Sequence, residues 1–225
     1  MMTNLFSIFD PSTNFMFNFN LNWVSILLAF LFLTPIFWLS PNKLMMTYKN
    51  ISNAMFKEFK MLLSLHHMNG NSLIFISMFL FMFFNNFLGL MPYIFTATSH
   101  FMLNFSLSIT LWMSLMIFGW INNYTMMMAH LIPNSTPLML TWFMVLIETI
   151  SNLIRPLTLA IRLMANMMAG HLLLTLLSEI NNKLNFLMII FILMIQILLL
   201  ILEISVAIIQ SYVFFILSSL YYMEI

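Results

Sequence analysis

The chain has 225 residues, of which 63% are hydrophobic and 6% charged, with a formal net charge of +1 and a mean hydropathy of +1.02. A water-soluble domain carries roughly a quarter charged residues, so water is excluded as the main solvent, and the near-neutral balance argues against a nucleic-acid partner. Cysteine is absent, which removes disulfides, zinc-thiolate sites, iron-sulfur clusters and thiol nucleophiles.

Apolar runs of eighteen or more residues recur, each long enough to cross a hydrocarbon core about 30 Å thick. They are continuous rather than alternating, which predicts helices rather than a barrel. The expectation is an all-α membrane protein, a single membrane domain over 1–225 with no soluble domain and no internal repeat. The opening MMTNLFSIFDPSTNF lacks the basic start of a secretory signal and the arginines of a transit peptide, so no cleaved leader is expected.

In chain order, an N-terminal transmembrane helix is expected at about 21–39, interrupted by Pro35 and closed by Ser40 and Pro41. Segment 42–67 holds Lys43, Lys49, Lys57 and Lys60, four of the seven basic residues, and is too polar to span. Its apolar Leu44, Met45, Met55, Phe56, Phe59, Leu62 and Leu63 fit an interfacial amphipathic helix with lysines toward headgroups. By the positive-inside rule that side is the cytoplasm or a mitochondrial matrix.

Two further transmembrane helices are expected at 72–90, stopped by Gly89 and Pro92, and at 102–120, with Trp112 or Trp120 as an interfacial anchor. Ser135 or Thr136 can cap the next helix, and Pro137 suits its first position. Helices at 136–180 and 184–222 would be roughly 57 to 68 Å long at 1.5 Å per residue, about twice the hydrocarbon thickness. They predict a long, strongly tilted two-helix hairpin, with Pro156 as the kink point.

Chemistry concentrates on that hairpin. Glu148, Arg155, Arg162 and Asn166 are spaced by seven, seven and four residues and fall within about 40° on a helix, forming one polar stripe. Thr158, Ala165 and Ala169 share the face around Arg162, and small residues let a neighbouring helix approach closely. His171 points about 180° away from Arg162. On the second helix Asn185, Gln196, Glu203 and Gln210 also fall within about 40°, a file of polar groups suited to a hydrated path.

A mid-membrane charge costs at least about 2.5 to 3.5 kcal/mol on insertion scales and usually serves a function. Structural polar glue is the competing reading for the Arg162 group, helix–helix hydrogen bonding for Asn185 and Gln196, and snorkelling for Arg155. His66, His67, His100 and His130 lie by loops or run ends and read as ordinary interfacial histidines; Glu179, Lys183 and Glu224 read as solvated ends. Arginine does not deprotonate in a protein, so Arg162 acts only as a fixed charge. Such a charge lowers the pKa of a nearby carboxyl, whereas apolar surroundings raise it. A carboxyl moving between lipid and Arg162 would bind a proton in one place and release it in the other. Glu148, His171 and Glu203 can titrate and lie on both sides of Arg162, which points to two separated proton paths meeting at the arginine. The moving carboxyl would belong to another subunit.

The segments ETISNLIRPLTLAIRLMANMMAGHLL (148–173) and LEISVAIIQSYVFFILSSLY (202–221) resemble the membrane-embedded a subunit of F-type ATP synthase in its mitochondrially encoded form, with a looser likeness over the whole length. The resemblance implies a non-catalytic, proton-translocating stator subunit of the mitochondrial inner membrane. In it Arg162 would face the carboxylate of the rotating c-ring. Asn166, His171, Glu203 and Gln210 would line the inlet half-channel from the intermembrane space, and Glu148 the outlet toward the matrix. It also implies c-ring, peripheral-stalk and small membrane subunits as partners, with membrane lipid and no cofactor, metal or nucleic acid. The family often has glutamine or lysine where Arg155 stands, so no role is assigned to it. The alternative reading is a self-contained ion channel or transporter, against which stands the missing internal repeat. A haem-binding subunit would need axial histidines inside helices, where only His171 is placed. A purely structural assembly subunit leaves titratable groups on both sides of an arginine unexplained.

Overall fold

The computed structural model describes residues 5–12, 20–32, 40, 42–62, 70–132, 137–181 and 186–223, and among them every regular element is helical. After a 3-10 turn at Leu5–Phe9, the first membrane-facing segment winds through 3-10 turns at Leu21–Val24 and Ala29–Phe32 around the short α1, Ser25–Leu28. The expected helix at 21–39 is therefore helical as far as residue 32, and 33–39 lie outside the described residues.

Helix α2, Lys43–Leu62, carries its lysines on the exposed side. Part of its apolar face packs on protein rather than lipid. Phe59 is fully buried, with ring centroids 5.3 Å from Phe75 and 6.3 Å from Phe215. Met45 is also buried, whereas Leu44, Met46, Ile51 and Phe56 remain exposed. The Tyr212 phenol donates to the Glu58 carboxylate, tying the same helix down a second time.

Helix α3, Asn71–Gly89, starts after Gly70, whose φ of 88° is a left-handed value that a side chain would strain. Helix α4, Phe101–Asn122, follows a buried 3-10 turn at Ala97–Ser99. It ends where Asn123 leaves the helical region (φ −128°, ψ 49°), and the short α5, Tyr124–His130, turns off from it. Helix α5 was not among the elements expected from the sequence.

The two longest helices are α6, Thr141–Asn181, and α7, Phe186–Met223. Pro156 lies inside α6 without breaking it, so the expected kink point does not divide the helix. Pro137 is extended (φ −68°, ψ 144°) and precedes a 3-10 turn at Leu138–Leu140 instead of opening the α-helix, a correction to its expected position. The proposed caps Ser135 and Thr136 lie outside the described residues.

Helices α3, α4, α6 and α7 are each long and apolar enough to cross a membrane. Two apolar clusters join them: Phe59, Phe75, Phe79, Leu80 and Phe215 where α2 meets α3 and α7, and Met82, Leu159, Leu163 and Phe214 where α3, α6 and α7 meet. Around these the outward faces stay apolar and exposed, Leu193, Met194 and Leu198 on α7 among them, as suits helices bathed in lipid or covered by partner helices.

Candidate functional site

The centre of α6 presents two unlike faces. Leu159 and Leu163 are buried against α3 and α7, Met167 on the same side is also buried, and the opposite face carries Thr158, Arg162, Ala165 and Ala169, all exposed. The predicted stripe of small residues around the arginine is thus an outer surface of the chain. Among the described residues Arg162 makes no ion pair; the ion pair of the stripe joins Arg155 Nη2 to Glu148 Oε1 at 3.7 Å. A guanidinium midway along an apolar helix, turned outward and without an ion-pair partner among the described residues, is costly to expose to lipid.

Glu203 of α7 lies on the other side of α6. It is buried to 8% exposure, and neither carboxylate oxygen has a hydrogen-bond partner among the described residues. Its side chain occupies the space that a Cβ on Gly170 would fill: that Cβ would stand 2.7 Å from Glu203 Cδ and 2.9 Å from Cγ. The missing side chain at Gly170 is what admits the acid between the helices. Asn166, one turn earlier on α6, is half-buried. Gly170 follows Arg162 by eight residues, roughly 12 Å along the axis, which is the axial offset between Glu203 and the arginine.

His171 points away from the arginine, as its spacing predicted, and its ring approaches the backbone carbonyl of Gly89 at the end of α3, leaving a buried Nε2 with no partner among the described residues. One turn back along α3, Asn86 is fully buried, and both its amide atoms lack a partner among the described residues. Nearby Asn104 donates from Nδ2 to the Thr98 carbonyl at 2.7 Å while its Oδ1 and the Thr98 hydroxyl stay unpartnered among the described residues. Buried polar groups with spare valences in a space among helices are where ordered water is held. The His100 ring packs 5.1 Å from Trp23 and 5.2 Å from Phe95.

At the opposite end, Glu148, Asn152 and Arg155 border a cavity of about 790 Å³ between α4, α5 and α6, with Trp112, Trp120, His130 and Tyr221 of α7 among the other residues on its wall. On α7, Gln196 and Gln210 are half-buried, and Asn185 lies outside the described residues. No group of three or more metal-ligating side chains converges among the described residues.

A family model described as ATP synthase A chain matches residues 19–223. Over the full length of both chains, the sequence is 55% identical to ATP synthase subunit a of Locusta migratoria, 54% to that of Drosophila melanogaster and 56% to that of Anopheles gambiae. The chain belongs to the ATP synthase A chain family. As an a subunit it is a non-catalytic part of the membrane sector of a complex that is the enzyme as a whole, and its partners are other membrane-sector subunits. The four spanning-length helices among its described residues make it a multi-pass membrane protein.

In the sequence of this a subunit the polar stripes on the hairpin bring out Arg162, Glu148 and Glu203, whereas Asn86, Asn104 and Gly170 lie outside them and were not expected. The signal for the two asparagines was present: an amide inside the apolar runs FFNNFLG and FMLNFSL is subject to the same desolvation cost as one on the hairpin. Gly170 gave none, because only the approach of α7 shows what its missing side chain makes room for.

Proposed function

We propose that this subunit forms two offset proton half-channels that meet at Arg162 and couple proton flow from the intermembrane space to the matrix with rotation of a c-ring and ATP synthesis in the mitochondrial inner membrane. The observation that carries the reading is the outward, internally uncompensated Arg162 on a face of small residues. A ring carboxylate arriving opposite that guanidinium loses its proton, and regains one when it moves on into apolar surroundings. Because arginine holds its own proton, it separates the two paths without joining them.

Glu203, His171, Asn166 and Gln210 are the inlet residues in this reading, and Glu148 is the outlet acid. Their positions support it: Glu203 sits beyond Arg162 at Gly170, and Glu148 precedes Arg162 by fourteen residues, roughly 21 Å in the other direction. Asn86, one turn before the Gly89 carbonyl that His171 approaches, the Thr98 hydroxyl and Asn104 Oδ1 add further buried polar atoms without partners among the described residues. The 41 and 38 residues of α6 and α7 span about 61 and 57 Å. We infer that the hairpin lies steeply tilted, with α2 at the matrix interface and its lysines toward headgroups.

The test is Arg162→Lys in the assembled complex reconstituted into vesicles. An ammonium is more strongly hydrated and gives up its proton when buried, so ATP-driven proton uptake should be abolished with assembly intact. Near-normal pumping would remove the arginine from the gate.

A further inference from the structure

Neither proposed half-channel uses Arg155, yet it is the most connected charge on α6. Helical side chains lean toward the N-terminus of their helix. Arg155 accordingly reaches back to Glu148, seven residues earlier, and its Nη2 stands 3.7 Å from Glu148 Oε1. Its Cζ also lies 5.3 Å from the ring centroid of Tyr221, on the last turns of α7. A guanidinium can stack through its face and still offer N–H groups at its edge, so one side chain holds an acid on its own helix and an aromatic ring on the facing one.

Both sit on the wall of the 790 Å³ cavity, where the Glu148 side chain is 36% exposed. A glutamate on so open a wall would sample several rotamers; a guanidinium anchored to the second helix selects one of them. The pairing also balances the charge of Arg155 within the chain, leaving Arg162 as the uncompensated cation of the stripe.

We propose that Arg155 is a positioning residue for Glu148: clamped against Tyr221, it fixes the acid's carboxylate at the cavity between α4, α5 and α6. The proposal rests on the reading of Glu148 as the outlet acid. His130 from α5 and Tyr221 from α7 are the other titratable groups on the cavity wall, and α4 contributes none among the described residues.

The experiment compares ATP-driven proton uptake and its pH profile for the reconstituted complex carrying Glu148→Gln, Arg155→Gln, Arg155→Lys, Tyr221→Leu and the Glu148→Gln/Arg155→Gln pair. Arg155→Gln should lower uptake roughly fivefold and displace its pH profile, with Arg155→Lys recovering part of the loss and Tyr221→Leu reproducing it in weaker form. In the Glu148→Gln background, Arg155→Gln should change uptake by less than about twofold, because a residue acting through another has nothing left to act on. Unchanged uptake in Glu148→Gln alone would overturn the outlet reading of Glu148, and with it the proposal. Loss in both single variants that multiplies in the pair, or loss from Arg155→Gln through lower assembly with an unmoved pH profile, would overturn the positioning role and leave the outlet reading standing.

Discussion

Glu203 of α7 and Gly170 of α6 occupy one space between them: the glutamate side chain lies where a Cβ on the glycine would project, 2.7 Å from Cδ and 2.9 Å from Cγ. Gly170 is half-buried and within a continuous helix, so its role here is to provide room rather than conformational freedom. An added methyl must push out the carboxyl or part the helices. Gly170→Ala should therefore reduce proton flux by roughly an order of magnitude, the scale on which small misplacements of reacting groups act. Gly170→Val should abolish flux. Flux measured in reconstituted vesicles at equal assembly, and unaltered in the alanine variant, would show that Glu203 need not stand there.

Removing the proton from Glu203 while keeping its volume separates chemistry from packing. Glu203→Gln keeps the shape between the helices and cannot titrate. Assembly should be intact and proton flux at least about tenfold lower, a barrier increase of roughly 1.4 kcal/mol or more. Passive proton conductance of the membrane sector checks it, and an unchanged value removes Glu203 from the inlet.

The parts of this fold that follow from local rules were legible in the sequence. The helices at 71–89 and 101–122 fall within two residues of the runs expected at 72–90 and 102–120, since long apolar runs leave the backbone little alternative to a helix. The stripe holding Arg162 was legible because a helix repeats every 3.6 residues. What depends on a neighbouring element was not. The Cβ-sized gap at Gly170, the contact of His171 with Gly89, and the burial of Phe59 on α3 and α7 each require a partner helix that the local pattern does not specify. The break at Asn123 that launches α5 is a single residue's departure from helical angles, with no proline beside it and the nearest glycine, Gly119, a full turn earlier inside α4.

Phe59 should be the strongest single anchor of the lysine-bearing helix. It is fully buried among Phe75, Phe79 and Phe215, whereas most of α2 is exposed. Phe59→Ala removes those contacts and leaves a cavity, a change that costs about 3 to 5 kcal/mol in a packed core. The expected result is early release of α2, read as faster protease cleavage between residues 43 and 62 in native membranes and a lower thermal transition of the complex. Ile51→Ala on the exposed side of the same helix should leave both nearly unchanged, because there is little packing to lose.

The exposed face around Arg162 makes its own geometric prediction. The chain contains no cysteine, so any introduced pair reports without background. Thr158→Cys or Ala165→Cys, on the face carrying Arg162, should form a disulfide with a cysteine placed near the essential carboxylate of a ring subunit when the assembled complex is oxidised. Such a bond requires Cα atoms within about 7 Å and side chains pointing together, a separation that small residues at a helix contact permit. Leu163→Cys, whose native residue is 2% exposed and turned into the α3–α7 contact, should not cross-link to the ring under the same conditions. Cross-linking confined to the Thr158 and Ala165 positions would place a foreign helix against the guanidinium. Equal yields at all three, or none at any, would mean that the arginine faces something other than a closely packed partner, and the proposed meeting of two proton paths at Arg162 would fall.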